Sequence, residues 1–232
     1  MRIAITGASR GLGLEFARLY LEAGHRVLAL ARNPEKSPGL HKLTAKHAAS
    51  LSCIECDVAD DGSVARAAAK ALGALDGLDL LINNAGTYGP RDEGLATLDF
   101  AEMRRVFEVN SIGPLRVSRA FYPLLRQSAG AKLVQITSLM GSVEDNRSGG
   151  SWSYRMSKAA LNMASRNLAL ELAGEKLIAV AIHPGWVKTD MGGAGAPLGI
   201  EEAVRSIIET IDRLEIGQSG GFFNLHGEPQ PW

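Results

Sequence analysis

At 232 residues, the chain is long enough to bury a sizeable core in one α/β domain. Lysine plus arginine and aspartate plus glutamate each number 25, so no basic excess stands ready to neutralise nucleic-acid phosphates. No apolar run reaches the ~18 residues needed to span a bilayer, and strand-like sequence begins at once with no leader ahead of it, so a soluble cytoplasmic protein is expected.

In chain order, the strand-like runs are "RIAIT" (2–6), "RVLALA" (26–31), "LSCIEC" (51–56), "LDLLIN" (78–83), "KLVQITS" (132–138), "LIAVAIH" (177–183) and "GGFFNL" (220–225). They are almost continuously apolar, as strands covered on both faces should be. Between the first two, Leu12, Phe16, Leu19 and Ala23 recur at helical spacing, and Gly24 ends the segment. Segments 61–72, 99–128, 151–174 and 201–214 also read as helices. Regular alternation of strand and helix implies right-handed crossovers and a doubly wound parallel sheet. No internal repeat, linker or low-complexity tract divides the chain.

The first strand runs into "TGASRGLG", with Gly7, Gly11 and Gly13 at the turn into the first helix. Glycine there lets backbone approach a pyrophosphate, which would sit on amide groups at the helix N-terminus. The G-x-x-x-G-x-G spacing differs from the general dinucleotide fingerprint, and a glycine turn is also a common structural device. After the second strand, where a ribose-binding carboxylate would be expected, stands Arg32. A guanidinium cannot accept from a ribose hydroxyl, but its fork suits a 2′-phosphate, and Arg10 adds a second charge. These two arginines favour NADP(H) over NAD(H), against the alternative of two solvated surface side chains.

Cys53 and Cys56 form the chain's C-x-x-C, but in a strand an i, i+3 pair points to opposite faces, so two ordinary thiols are expected. The five histidines show no ligand spacing, and a metal site is not expected.

Tyr154 and Lys158 lie one helical turn apart in "GGSWSYRMSKAALNM", downstream of Ser138 at a strand end. A phenol with a reference pKa of ~10 is a poor proton shuttle, and a lysine on the same helix face is expected to lower it. Ser138 can donate to a substrate oxygen or simply tie down a turn. Asn110, read alone, is a helix-interrupting polar residue before Ser111-Ile112-Gly113-Pro114.

Taken together, these segments resemble the short-chain dehydrogenase/reductase superfamily. "TGASRGLG", Asp57-Val58, "NNAG" (83–86), "FEVNSIGP", Ser138 with Tyr-x-x-x-Lys, and "HPGWVKTDM" occur in that family's order over about 180 residues. The pattern is most similar to the branch of C-factor-like proteins and sniffer-type carbonyl reductases. Ser138 and Tyr154 are 16 residues apart where 13 is usual, which assigns three extra residues to the loop "MGSVEDNRSGG" and weakens any substrate borrowed from better-known members.

The resemblance implies a single Rossmann domain over 1–232, with seven parallel strands and helices on both faces. It implies a catalytic set of Asn110, Ser138, Tyr154 and Lys158, with Asn110 holding a water that links Lys158 to solvent. Cofactor contacts would come from Gly7, Ser9, Arg10, Gly11, Leu12, Gly13, Arg32, Asp57 and Val58. Asn84, Ala85, Gly86, Tyr154, Lys158, Pro184, Gly185, Val187 and Thr189 would complete them. Segment 190–199, with four glycines, reads as a substrate lid or a disordered connector. Tyr88, Met140, Trp152, Trp186 and Met191 flank these segments and suggest an uncharged, fairly apolar small-molecule carbonyl or alcohol. Relatives pair into dimers and tetramers through the helices matching 99–128 and 151–174. The competing reading is a non-catalytic nucleotide-binding signalling protein on the same fold.

Overall fold

A computed structural model describes residues 1–232. Seven strands form one sheet: β1 (Arg2–Thr6), β2 (Arg26–Ala31), β3 (Leu51–Glu55), β4 (Leu80–Asn83), β5 (Lys132–Ile136), β6 (Ile178–His183) and β7 (Phe222–Asn224). All neighbours are parallel, in the order β3-β2-β1-β4-β5-β6-β7. The expected runs 51–56, 78–83, 132–138, 177–183 and 220–225 are each trimmed by one to three residues.

Because strand side chains alternate, each strand feeds two core layers. Ile3, Ile5, Leu80, Ile82 and Val180 face one layer, which is completed by Phe16, Ala17 and Tyr20 of α1 (Gly11–Glu22) and by Val204 and Ile207 of α7 (Ile200–Arg213). Ala4, Leu81, Leu133 and Ala179 face the other, with Val64 and Ala67 of α3 (Asp61–Ala74) and Val117 and Phe121 of α5 (Gly113–Leu125). This two-sided burial explains why the strands read as continuous apolar runs.

A helix the sequence pattern did not indicate, α2 (Pro38–His47), lies between β2 and β3. Ser37 caps it by accepting from the Leu40 amide at 3.2 Å, Pro38 occupies its first turn, and only Leu40 and Leu43 are buried. Two apolar anchors make too weak a periodic signal, although Ser-Pro is a recognised helix start.

The expected single helix over 99–128 is interrupted. α4 (Phe100–Phe107) passes through a π-helical turn, Glu108–Ile112, into α5. Pro114 has no N–H to give the Asn110 carbonyl, so the α-helical ladder cannot run through this point. Gly113 is also pressed against a neighbour: a Cβ there would lie 3.0 Å from the Val58 backbone oxygen. The expected 151–174 helix is α6 (Trp152–Glu171), followed by a short 3-10 turn. No helix is long and apolar enough to cross a membrane.

β1 has β2 on one side and β4 on the other, so the connections reverse direction there. The carboxyl ends of strands at such a reversal open a crevice suited to ligands.

Candidate active site

The glycine turn follows β1 at that crevice. Gly7 has φ +67°, and a Cβ on it would lie 2.9 Å from the Ala85 Cα. A Cβ on Gly13 would come within 2.3 Å of the Gly7 carbonyl. The Thr6 hydroxyl accepts from the amides of Asn84 and Ala85, both at 3.0 Å, and the Asn84 side chain donates to the Thr6 carbonyl at 2.9 Å. The turns after β1 and β4 are therefore one braced unit. α1 begins at Gly11 with no side-chain cap and no acidic residue in its first turn. An uncapped helix start, its amides presented by a turn that glycines let pack backbone against backbone, fits a pyrophosphate.

The flanking residues are distributed around this unit. The Ser9 carbonyl accepts from the Ser37 hydroxyl at 2.7 Å, tying α2 to the turn. Asp57 caps its own turn by accepting from the Ala59 amide at 3.0 Å. Val58 is buried against α5, while Leu12 packs on the α1-side core. Gly185 has φ +81°, and Val187 bridges to Leu198, folding the 190–199 segment back on itself. The Thr189 methyl would be 3.7 Å from a Cβ on Gly11, so this segment meets the glycine turn. Arg10, expected to add a second charge on this side, pairs with Asp190 at 2.9 Å, both side chains being exposed. Arg32 is exposed at the end of β2 and forms no ion pair with a carboxylate.

Beyond β5, Ser138 caps a 3-10 turn by accepting from the Met140 amide at 3.1 Å. Tyr154 and Lys158 face it from α6, and both are buried. The Lys158 Nζ donates to the Ile136 carbonyl at 2.9 Å and lies 5.8 Å from the Tyr154 ring centroid. Gly141 allows this closeness, because a Cβ there would lie 2.7 Å from the Lys158 carbonyl carbon.

The expectation that Lys158 lowers the Tyr154 pKa is not met. Burial dominates and pushes the phenol up to about 12, with hydrogen bonding to Ser138 pulling more weakly the other way. Burial also brings the Lys158 amine down to about 8. The phenol is thus held protonated over the neutral range.

Asn110 sits in the π turn, fully buried. Its Oδ1 accepts from the Thr87 amide at 2.8 Å, and its Nδ2 donates to the Thr87 carbonyl at 2.8 Å and the Ser157 hydroxyl at 3.0 Å. The side chain is thereby spent clamping the loop after β4 to α6. A water held by Asn110 would use its backbone carbonyl, which Pro114 leaves without an α-helical donor. Gly86 lies between the Asn110 side chain and the lysine: a Cβ on it would be 3.4 Å from Asn110 Oδ1 and 3.8 Å from Lys158 Nζ.

Of the candidate pocket residues, Tyr88 and Met140 are brought to the pair. The Tyr88 ring stacks on Tyr154, and its hydroxyl is 2.9 Å from the Ser151 hydroxyl and 3.9 Å from the Met140 sulfur. Trp152 and Trp186 are exposed. Trp186 donates to the Gly192 carbonyl at 2.8 Å, making it part of the glycine-rich segment rather than a wall at Tyr154. Met191 contributes its carbonyl, which accepts from Arg91 at 2.7 Å. Arg91, which also lies over the Tyr88 ring, went unread in the sequence, as did Glu93 and Arg155. Arg155 organises the long loop by donating to Gly149, Met140 and Ser148. Its place directly after Tyr154 was the one available signal.

Residues 1–196 match the profile of the short chain dehydrogenase family. The chain belongs to that family. It is 47% identical over 155 residues to the C-signal protein of Myxococcus xanthus, a match covering 67% of this chain and 93% of that one. The carbonyl reductase Sniffer of D. melanogaster superposes with a TM-score of 0.95 at 32% identity, over 100% of this chain and 99% of the other. An NADPH-bound carbonyl reductase from chicken fatty liver gives 0.93 at 35% identity, over 100% and 98%. The family is one of oxidoreductases, and the expected branch is represented among the relatives both by C-signal and by Sniffer-type carbonyl reductases.

Proposed function

We propose that this chain is an NADP(H)-dependent carbonyl reductase that exchanges a proton between Tyr154 and the oxygen of an uncharged, fairly apolar carbonyl or alcohol. The observation that carries this reading is the convergence of a buried phenol, amine and hydroxyl, from Tyr154, Lys158 and Ser138, at the ligand edge of the sheet. In this reading residues 1–232 act as one nucleotide-binding domain.

A bound nicotinamide would supply or accept the hydride. Its pyrophosphate would rest on the amides of Gly11, Leu12 and Gly13, and Arg32 would take the 2′-phosphate. Asp57 and Val58 would flank the adenine, and Asn84, Ala85 and Gly86 the ribose side. Pro184, Gly185, Val187 and Thr189 would close over the nicotinamide half. Ser138 donates to the substrate oxygen and holds it for Tyr154, which delivers its proton. A phenol held up at about 12 is protonated at neutral pH, the state that reduction needs. Lys158, brought down to about 8, can pass a proton back to the phenol, with the Asn110 carbonyl anchoring the water behind it.

The test is a cofactor-oxidation assay over aldehydes, ketones and quinones, with NADPH and NADH in parallel. Turnover with NADPH, reduced by about 10²–10⁴-fold in Tyr154→Phe, is the expected result. Equal turnover by the phenylalanine variant would sink the proton-donor assignment.

The resemblance to C-signal favours a second reading, a nucleotide-binding signalling protein with little or no turnover. Tight NADPH binding without oxidation across a broad panel would establish it over the first. In either case we assign self-association to the helices 99–128 and 151–174, where Leu115, Met156 and Met163 are exposed. A monomer by light scattering at micromolar concentration would remove that assignment.

A further inference from the structure

We propose that Glu93 is a positioning residue for Tyr154, its buried carboxylate holding the first turn of α6 from the loop after β4. The inference rests on reading Tyr154 as the proton donor.

α6 starts without a cap of its own. Ser151, at the cap position, stands in the left-handed region (φ 46°, ψ 46°), and its side chain accepts from no first-turn amide. Its hydroxyl is turned instead to that of Tyr88, at 2.9 Å. First-turn amides have no acceptor within their own helix, so an absent cap leaves them to other partners or to fraying.

Glu93 fills that role from 60 positions upstream. One carboxylate oxygen accepts from the Ser153 amide at 2.8 Å, and the other accepts from the Ser153 hydroxyl. Glu93 is only 8% exposed and takes part in none of the chain's ion pairs. A buried carboxylate without a cation is costly unless its charge is met by donors. Here the positive end of the helix dipole and two charge-assisted hydrogen bonds meet it. Ser153 is the residue immediately before Tyr154, in the turn where helices fray most readily.

The same loop lays Tyr88 on the Tyr154 ring and ties Arg91 to the Met191 carbonyl. Glu93 therefore sets the phenol relative to the pocket wall, without touching substrate itself. Misplacing a reacting group by ~1 Å costs about 10²-fold in rate, so the effect falls on kcat.

The experiment compares Glu93→Ala, Glu93→Gln and Glu93→Asp in the full chain, with NADPH and a carbonyl that the wild type reduces. Glu93→Ala is expected to lower kcat by about 10–100-fold while NADPH affinity and KM stay within about twofold. Glu93→Gln should restore most of kcat, because its amide oxygen can accept from the Ser153 amide and its NH₂ can donate to the hydroxyl. A merely structural cap would instead lower kcat and NADPH binding together with the folded fraction, and that pattern overturns the proposal, as does wild-type kcat in Glu93→Ala. Should the alanine variant not fold, Glu93→Asp keeps the charge but shortens the reach; about tenfold lower kcat supports the proposal and unchanged kcat overturns it. If the wild type reduces no carbonyl, the proton-donor reading fails, and amide exchange then judges Glu93 separately. Exchange at Ser153 and Tyr154 about tenfold faster in Glu93→Ala, normal in Glu93→Gln, supports the anchoring. Unchanged exchange overturns it.

Discussion

The aromatic ring of Tyr88 lies nearly flat on that of Tyr154, with centroids 4.5 Å apart and planes 19° apart. The stack shields the phenol from water, and loss of water is the main cause of its raised pKa. Tyr88→Ala should let solvent reach the ring and move tyrosinate formation below about 12, whereas Tyr88→Phe, which keeps the stack and removes only the weaker repulsion from a second phenol, should move it much less. Ultraviolet titration of tyrosinate in the two variants, each against its own Tyr154→Phe double mutant, checks this. An unchanged titration in Tyr88→Ala would mean that other neighbours supply the burial.

Cofactor preference should respond to Arg32 and Asp190 in opposite directions. Arg32→Asp replaces a phosphate-binding fork with a ribose-hydroxyl acceptor, so the ratio of NADPH to NADH affinity should fall by at least about tenfold, the scale of one charge-assisted bidentate contact. Asp190→Asn releases Arg10 from an exposed ion pair worth at most ~1 kcal/mol, so NADPH affinity should rise by no more than about fivefold, with NADH affinity unchanged. Calorimetric binding of both nucleotides to both variants reads the two effects together.

Gly141 and Lys158 are packed so closely that a single methyl group cannot be added between them. Gly141→Ala should push the 3-10 turn away from α6, destabilising the fold by ~1–3 kcal/mol as overpacking does and separating Ser138 from Tyr154. Denaturant unfolding and turnover at matched folded fraction measure the two consequences. A Gly141→Ala protein with normal kcat would show that Ser138 placement tolerates the shift.

Acid stability should depend on His183, at the end of β6. Its Nδ1 is buried without a partner, and burial holds its pKa down at about 4, against a weaker pull upward from Asp145. A depressed pKa means that the unfolded chain binds the proton more readily. The contribution is complete above the unfolded value of ~6.5 and is lost as the pH falls toward 4, a cost of ~3 kcal/mol over that range. His183→Asn should flatten the fall in stability between pH 6.5 and 4, as read by urea midpoints. An equally steep fall in the variant would place the acid sensitivity elsewhere.

Much of this protein was legible in the order of its residues, and for a local reason. A strand buried on both faces must be apolar throughout, so "RIAIT", "RVLALA" and "LIAVAIH" announce β1, β2 and β6 directly. Gly7 and Gly13 are required where backbone meets backbone, and Tyr154 and Lys158 share a helix face by spacing alone. Periodicity and turn chemistry act within a few residues, and these features need nothing more.

What the tertiary structure decided are relations between segments that the sheet order brings together. Glu93 reaches Ser153 across 60 residues, and Arg10 meets Asp190 across 180; no spacing rule spans such intervals. The π turn at Asn110 depends on Pro114 nearby but also on the clamp to Thr87 and the pressure of Val58 on Gly113, which belong to other segments. The chemistry of Tyr154 shows the division most sharply. Spacing alone favoured a phenol lowered by its lysine, but the net shift is set by how completely the ring is buried, and burial is a property of the folded chain.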